Sequence, residues 1–188
     1  MATERYNNTN KQWVFYNADN HIIREANIGW GGPNLYFPAV STCTALVTVL
    51  TDNTLLGAHF DKMLSVGDVD VMLDRMLQRK ADRSVDHLAV IGNMTYGDND
   101  GTGFMSAPQF QGTQQLLTFA KKLGVTGVVS SHDQGQKANK HYRAQATGER
   151  GVLLYYADVT YLNGNPITFD RDKTSWLKQT VTPLRELY

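Results

Sequence analysis

The chain has 188 residues, with 18 Lys+Arg against 18 Asp+Glu and 41% hydrophobic residues. That length suits one domain with a real core, and the zero net charge excludes a nucleic-acid binder driven by bulk charge. No apolar run reaches the roughly 18 residues that a transmembrane helix needs, and the single cysteine excludes an intrachain disulfide.

The opening MATERYNNTNKQ is polar and carries no apolar signal-peptide region, so no classical signal peptide is expected. Residues 1–11 read as a disordered N-terminal segment, and 12–188 as a single domain. Gln12 to Asn17 and His21 to Arg24 read as two short strands. Ile28 to Pro38 (IGWGGPNLYFP) reads as a loop, because Gly29, Gly31, Gly32 and Pro33 interrupt any regular element.

Ser41 to Lys62 (STCTALVTVLTDNTLLGAHFDK) is the stretch on which the reading turns. TCTALVTVL is rich in β-branched residues, Thr51 to Thr54 form a polar turn, and Leu55 to Phe60 is a second apolar run. This is a strand–turn–strand pattern. Pairing with Leu50 opposite Leu55 brings Cys43 and His59 together at the open end of the hairpin. A thiol beside an imidazole is a candidate nucleophile, because an imidazolium stabilises the thiolate. A lone cysteine is also the pattern of a small buried hydrophobe.

Ser65-Val66-Gly67-Asp68 opens a helix, with Ser65 or Asp68 as its N-cap. Val69, Met72, Leu73, Met76 and Leu77 give it an apolar face, and Arg75, Arg79, Lys80 and Arg83 read as a solvated one. Asp86 to Asn93 is a buried strand, with His87 structural. Asp98 and Asp100 lack the other ligands of a calcium loop. Pro108 to Gly124 is a second helix with Gly124 as its C′ residue. Val125 to Ser131 is a strand parallel to the one before it, completing a βαβ unit. The spacing of His132, Asp133 and His141 matches no zinc pattern, so no metal is expected. Tyr142 to Thr147 and Gly151 to Thr160 form a hairpin, and Tyr161 to Phe169 adds an edge strand. The tail from about Thr174 reads as helical until Pro183.

This order resembles the CheD-type chemoreceptor glutamine deamidases and the catalytic domain of the cytotoxic necrotizing factors. Leu56-Gly57-Ala58-His59-Phe60 looks like the glycine-containing segment around the family's catalytic histidine. Ser41-Thr42-Cys43 takes the place of its small tripeptide ending in cysteine. Met72-Leu73 and Met76-Leu77 look like its following helix, and Ala89 to Asn93 like its glycine-containing strand. The resemblance covers roughly residues 36 to 160. Position 37, where CheD-type enzymes carry threonine, is Phe37. The necrotizing-factor domains instead orient their histidine with a backbone carbonyl.

The resemblance implies an α/β (α+β) fold in which mixed β-sheets form a sandwich with helices outside. It implies a cysteine-dependent protein glutamine deamidase, in which Cys43 attacks the side-chain amide and His59 moves the protons. Ser41, Thr42 and Tyr36 are candidates for a third member or for oxyanion support. No cofactor and no metal are implied. The expected partner is a protein substrate carrying a reactive glutamine, with no nucleic acid and no membrane span. The expected setting is a bacterial effector or toxin, in the bacterial cytoplasm or secreted into a host cell. The alternatives are a transglutaminase or chemoreceptor deamidase on the same Cys–His core, and a non-catalytic binding module with a buried cysteine.

Overall fold

The computed structural model describes residues 2–16, 21–61, 64–92, 119–133, 139–149, 151–162, 165–166, 168–179 and 182–183. In chain order the elements are β1 (Ala2–Asn7), β2 (Gln12–Tyr16), β3 (Asn27–Trp30), β4 (Asn34–Val40), β5 (Thr44–Leu50), β6 (Leu55–Phe60) and α1 (Val66–Lys80). They continue with β7 (Val85–Gly92), β8 (Val125–Asp133), β9 (Lys140–Ala146), β10 (Val152–Asp158), β11 (Tyr161–Leu162), β12 (Asn165–Pro166), β13 (Leu177–Gln179) and β14 (Thr182–Pro183).

The run TALVTVL becomes β5, and every residue of it is buried. A strand apolar on both faces is stable only where both faces are covered. β5 satisfies this by lying inside an eight-stranded sheet of order β14-β8-β7-β5-β6-β3-β1-β2. One face carries Leu46, Leu50, Leu56 and Phe60 beneath Val69, Met72, Leu73 and Met76 of α1. Burying each of those side chains contributes roughly 1.5–3 kcal/mol. The other face carries Ala45, Val47, Val49 and Ile91 against Leu35, Phe37, Tyr142 and Leu154 of a second sheet. That sheet is four-stranded, in the order β13-β10-β9-β4. The chain is thus a sheet-dominated α/β protein, two sheets enclosing one core and a helix on the outer face of the larger.

β5 and β6 pair as a hairpin, but one residue out of the expected register, with Val49 and not Leu50 opposite Leu55, and Ala45 opposite His59. Leu50 falls one residue outside the ladder, its N–H donating to the Thr54 carbonyl inside the turn (2.9 Å). α1 opens with Ser65 as N-cap in a reciprocal capping box with Asp68, which satisfies two otherwise orphaned donors. β7 and β8 pair in parallel. Between them only the helical turn at 119–123 is described, closing on Gly124 with φ 68°. The rest of the expected second helix, the expected Asp98–Asp100 loop and Asn93 lie outside the described residues.

Four local expectations are corrected. Residues 2–7, read as disordered, form β1 between β2 and β3. Glu4 draws that strand in: the residue is 2% exposed, and its carboxylate accepts hydrogen bonds from Arg75 and Arg79 of α1. Arg75 and Arg79 therefore belong to a buried ion-pair cluster and not to a solvated face, and their guanidinium groups also lie over Trp13 and Trp30. Ile28 to Pro38, read as a loop, is β3, a tight turn at 31–33, and β4. Gly31 and Gly32, with φ of 96° and 71°, confine the break to that turn. The tail, read as helical, adds β13 at Leu177–Gln179, paired antiparallel to β10.

Candidate active site at the Cys43–His59 end of the hairpin

The register of β5 on β6 places His59 beside Ala45, and that of β3 on β6 places it beside Asn27. Directly opposed residues share a face, so His59, Ala45 and Asn27 all point toward the second sheet. Cys43 precedes β5 by one residue and reaches the same corner. Phe37 of β4 closes the corner from the second sheet, its ring centroid 6.3 Å from that of His59 at 74°.

The segment 21–26 crosses this corner. Its backbone is tied to β4 by Ile23 N–H to the Tyr36 carbonyl (2.7 Å) and to β6 by Ala26 N–H to the His59 carbonyl (2.8 Å). Ala26 adopts φ 59° to make the turn into β3. The segment contributes two groups. The Ile23 carbonyl accepts from His59 Nδ1 at 3.2 Å. The Glu25 carboxylate accepts from the Cys43 thiol at 3.1 Å. One donor atom from each of Glu25, Cys43 and His59 lies within 4.8 Å of the others.

Of the three residues, Glu25 is the one that reaches solvent. Cys43 is 2% exposed and His59 fully buried, whereas Glu25 is exposed. A cleft of about 650 Å³ opens on the Glu25 side, lined also by Arg5, Tyr16, Ile22, Arg24, Asn27 and Pro38. Glu25 stands between that cleft and the thiol. Two buried polar atoms here have no hydrogen-bond partner: His59 Nε2 and Asn27 Oδ1. A buried polar atom without a partner costs about 1–3 kcal/mol, so natural sequences keep few of them.

Burial holds the His59 imidazole below the ordinary histidine range, while the Ile23 carbonyl and the Glu25 and Asp61 carboxylates oppose that shift. The imidazole is therefore neutral at rest, with two carboxylates nearby to steady a proton if it takes one.

The structure brings Cys43 and His59 together, as the hairpin reading requires. Ser41 and Thr42 lie half-buried in the bend between β4 and β5, next to Cys43 in the chain. Tyr36 has its ring against Phe169 and Trp176, with centroids 6.3 and 5.7 Å away. It is Phe37, its neighbour on β4, whose ring meets His59. The residues that sequence reasoning missed are Ile23 and Glu25. A backbone carbonyl leaves no mark on sequence, and Glu25 was an ordinary charged residue beyond a short strand. Two other histidines serve the scaffold: His87 Nε2 meets the Ser130 hydroxyl (2.7 Å), and His141 Nδ1 accepts from the Ala39 N–H (3.1 Å).

Compared with protein-family models and with curated proteins, the chain finds no match.

Proposed function

We propose that the protein is a cysteine-dependent amide hydrolase acting on the side chain of a glutamine in a partner protein. One observation carries this reading: a thiol, a neutral buried imidazole and a carboxylate share one corner of the sheet at the edge of a cleft. In this scheme Cys43 Sγ attacks the carboxamide carbon while its proton passes to His59 Nε2. The imidazolium so formed is favoured by Glu25 and Asp61 and oriented by the Ile23 carbonyl. It protonates the departing nitrogen, ammonia leaves, and a thioester remains. Water then attacks the thioester, giving its proton to His59. The acyl–sulfur bond breaks, glutamate is released, and the thiol is restored. The backbone around Thr42 and Cys43 is the nearest source of N–H groups for the oxyanion.

The resemblance to the CheD-type and necrotizing-factor deamidases adds the substrate class and the setting of a bacterial effector. Phe37 occupies the family's threonine position and packs on His59, and a backbone carbonyl supplies the hydrogen bond that a threonine would have made. Amine attack on the same thioester would make the protein a transglutaminase. A second reading, a binding module with an inert thiol, draws on the 2% exposure of Cys43.

The test is alkylation of the native protein by iodoacetamide across pH, together with ammonia release from glutamine-bearing proteins. Labelling that slows in His59→Gln, with ammonia release lost in Cys43→Ser, is the expected result. Labelling unchanged in His59→Gln, with no ammonia release from the wild type, replaces the enzyme with the binding module, and hydrolysis that persists in Cys43→Ser removes Cys43 as the nucleophile.

A further inference from the structure

We propose that Glu25, Cys43 and His59 form a three-ligand site for a thiophilic divalent cation, with zinc the best fit, whose fourth coordination position faces the cleft. The argument begins with His59. A histidine that ligates a metal through one nitrogen nearly always donates its other N–H to a carbonyl or carboxylate, which fixes tautomer and ring orientation. His59 does this through Nδ1 and the Ile23 carbonyl (3.2 Å). The nitrogen left over, Nε2, is buried and has no hydrogen-bond partner. That lone pair is satisfied by a proton donor or a cation.

The other two donors supply what zinc prefers beside imidazole: a sulfur and a carboxylate oxygen. Tetrahedral bonds of the usual zinc lengths put ligand atoms about 3.3–3.8 Å apart. Here the thiol and the Glu25 oxygen are 3.1 Å apart, and a ring nitrogen of His59 lies within 4.8 Å of both. Closing the site draws the three donors together to those separations. A carboxylate beside a sulfur disfavours a bare thiolate, yet the same pair becomes mutually favourable around a dication. Three protein ligands and one position open to solvent is the arrangement of a labile site and not of a closed structural one. On binding, the Cys43 S–H bond breaks, its proton passes to solvent buffer, and the S–Zn bond forms with no change of oxidation state.

Metal occupancy and thiol chemistry exclude each other, because zinc takes the sulfur and the lone pair that amide hydrolysis needs. The metal-loaded protein is expected to be a protected, inactive store of the enzyme. The metal site nevertheless stands without the hydrolase reading, since its readout is binding.

The experiment is titration of the chelator-treated full chain with zinc against a chromophoric competitor, and separately with cobalt(II). The expected result is one-to-one zinc binding that falls about tenfold or more in each of Cys43→Ser, His59→Gln and Glu25→Gln. Cobalt should show a sulfur-to-metal charge-transfer band that Cys43→Ser abolishes. Circular dichroism checks each fold. Glu25 is exposed, so Glu25→Gln keeps the test open if the buried His59 variant fails to fold. Wild-type affinity no higher than that of Cys43→Ser, or a cobalt spectrum without the sulfur band, overturns the proposal. Alkylation and ammonia release by metal-free protein report on the hydrolase reading separately.

Discussion

His59 Nδ1 lies 3.2 Å from the Ile23 carbonyl oxygen, joining a ring on β6 to a backbone group before β3. This bond engages Nδ1 and leaves Nε2 without a hydrogen-bond partner. The segment carrying Ile23 and Glu25 is pinned on both sides, to Tyr36 and to the His59 backbone. The site is therefore built from three stretches of chain, of which the hairpin is only one.

Glu25→Ala is expected to uncover the thiol. Glu25 is exposed and stands between the cleft and a nearly buried Cys43. Its removal should change stability by less than about 1 kcal/mol, as for most surface substitutions. Iodoacetamide should then label Cys43 faster than in wild type at the same pH. An unchanged rate would mean that access runs by another route.

Gly57→Ala should damage both fold and site. A methyl group at position 57 would lie 2.9 Å from Phe37 Cζ, 3.0 Å from Leu35 Cδ1 and 3.0 Å from the Leu46 carbonyl oxygen. The backbone carbonyl cannot give way, so the Phe37 ring must shift, and that ring packs on His59. Overpacking of this kind typically costs about 1–3 kcal/mol. Urea unfolding measures the loss, and any activity should fall with it.

Glu4→Ala should cost about 3 kcal/mol, the low end for removing one partner of a buried ion pair. Both arginines facing Glu4 are about a third exposed or less and recover some hydration. Burial alone would raise the Glu4 carboxyl, yet its bonds to Arg75 and Arg79 leave it lowered. An exposed N-terminal strand of no structural weight would give a loss near zero in chemical denaturation.

Acid should destabilise the protein in two stages. Burial holds His59, His87 and His141 below their ordinary value of 6.5. The unfolded chain takes up these protons first, so their contribution is full above pH 6.5 and is lost as pH falls from there through their folded values. The carboxylates act lower. Burial would raise Asp68, but hydrogen bonds from Lys11, Ser65 and Tyr6 bring it down to about 2. Asp52 and Glu4 are likewise lowered. Their contribution persists to about pH 4.5 and fades toward pH 2. Thermal melting from about pH 8 to pH 3 should show both stages, and a flat melting temperature between about pH 7 and 5.5 would contradict the first.

Local pattern determined the β5–β6 hairpin, α1 and the β9–β10 hairpin, each specified by nearby residues: an apolar run, a polar turn, a helical period. The parallel β7–β8 pair followed from the strand–helix–strand order. Cys43 and His59 were legible together because any hairpin on that turn joins its two open ends, even though the register itself was one residue off. Tertiary structure decided what depends on distant partners. β1 is a polar sequence that becomes a strand because Glu4 finds Arg75 and Arg79 on α1. β3 and β4 hide among glycines because their pairing partners, β6 and β9, lie elsewhere in the chain. Glu25 and the Ile23 carbonyl reach the site only because segment 21–26 is held between β4 and β6. A charged side chain or a carbonyl acquires a role from what it is folded against, and no local periodicity encodes that.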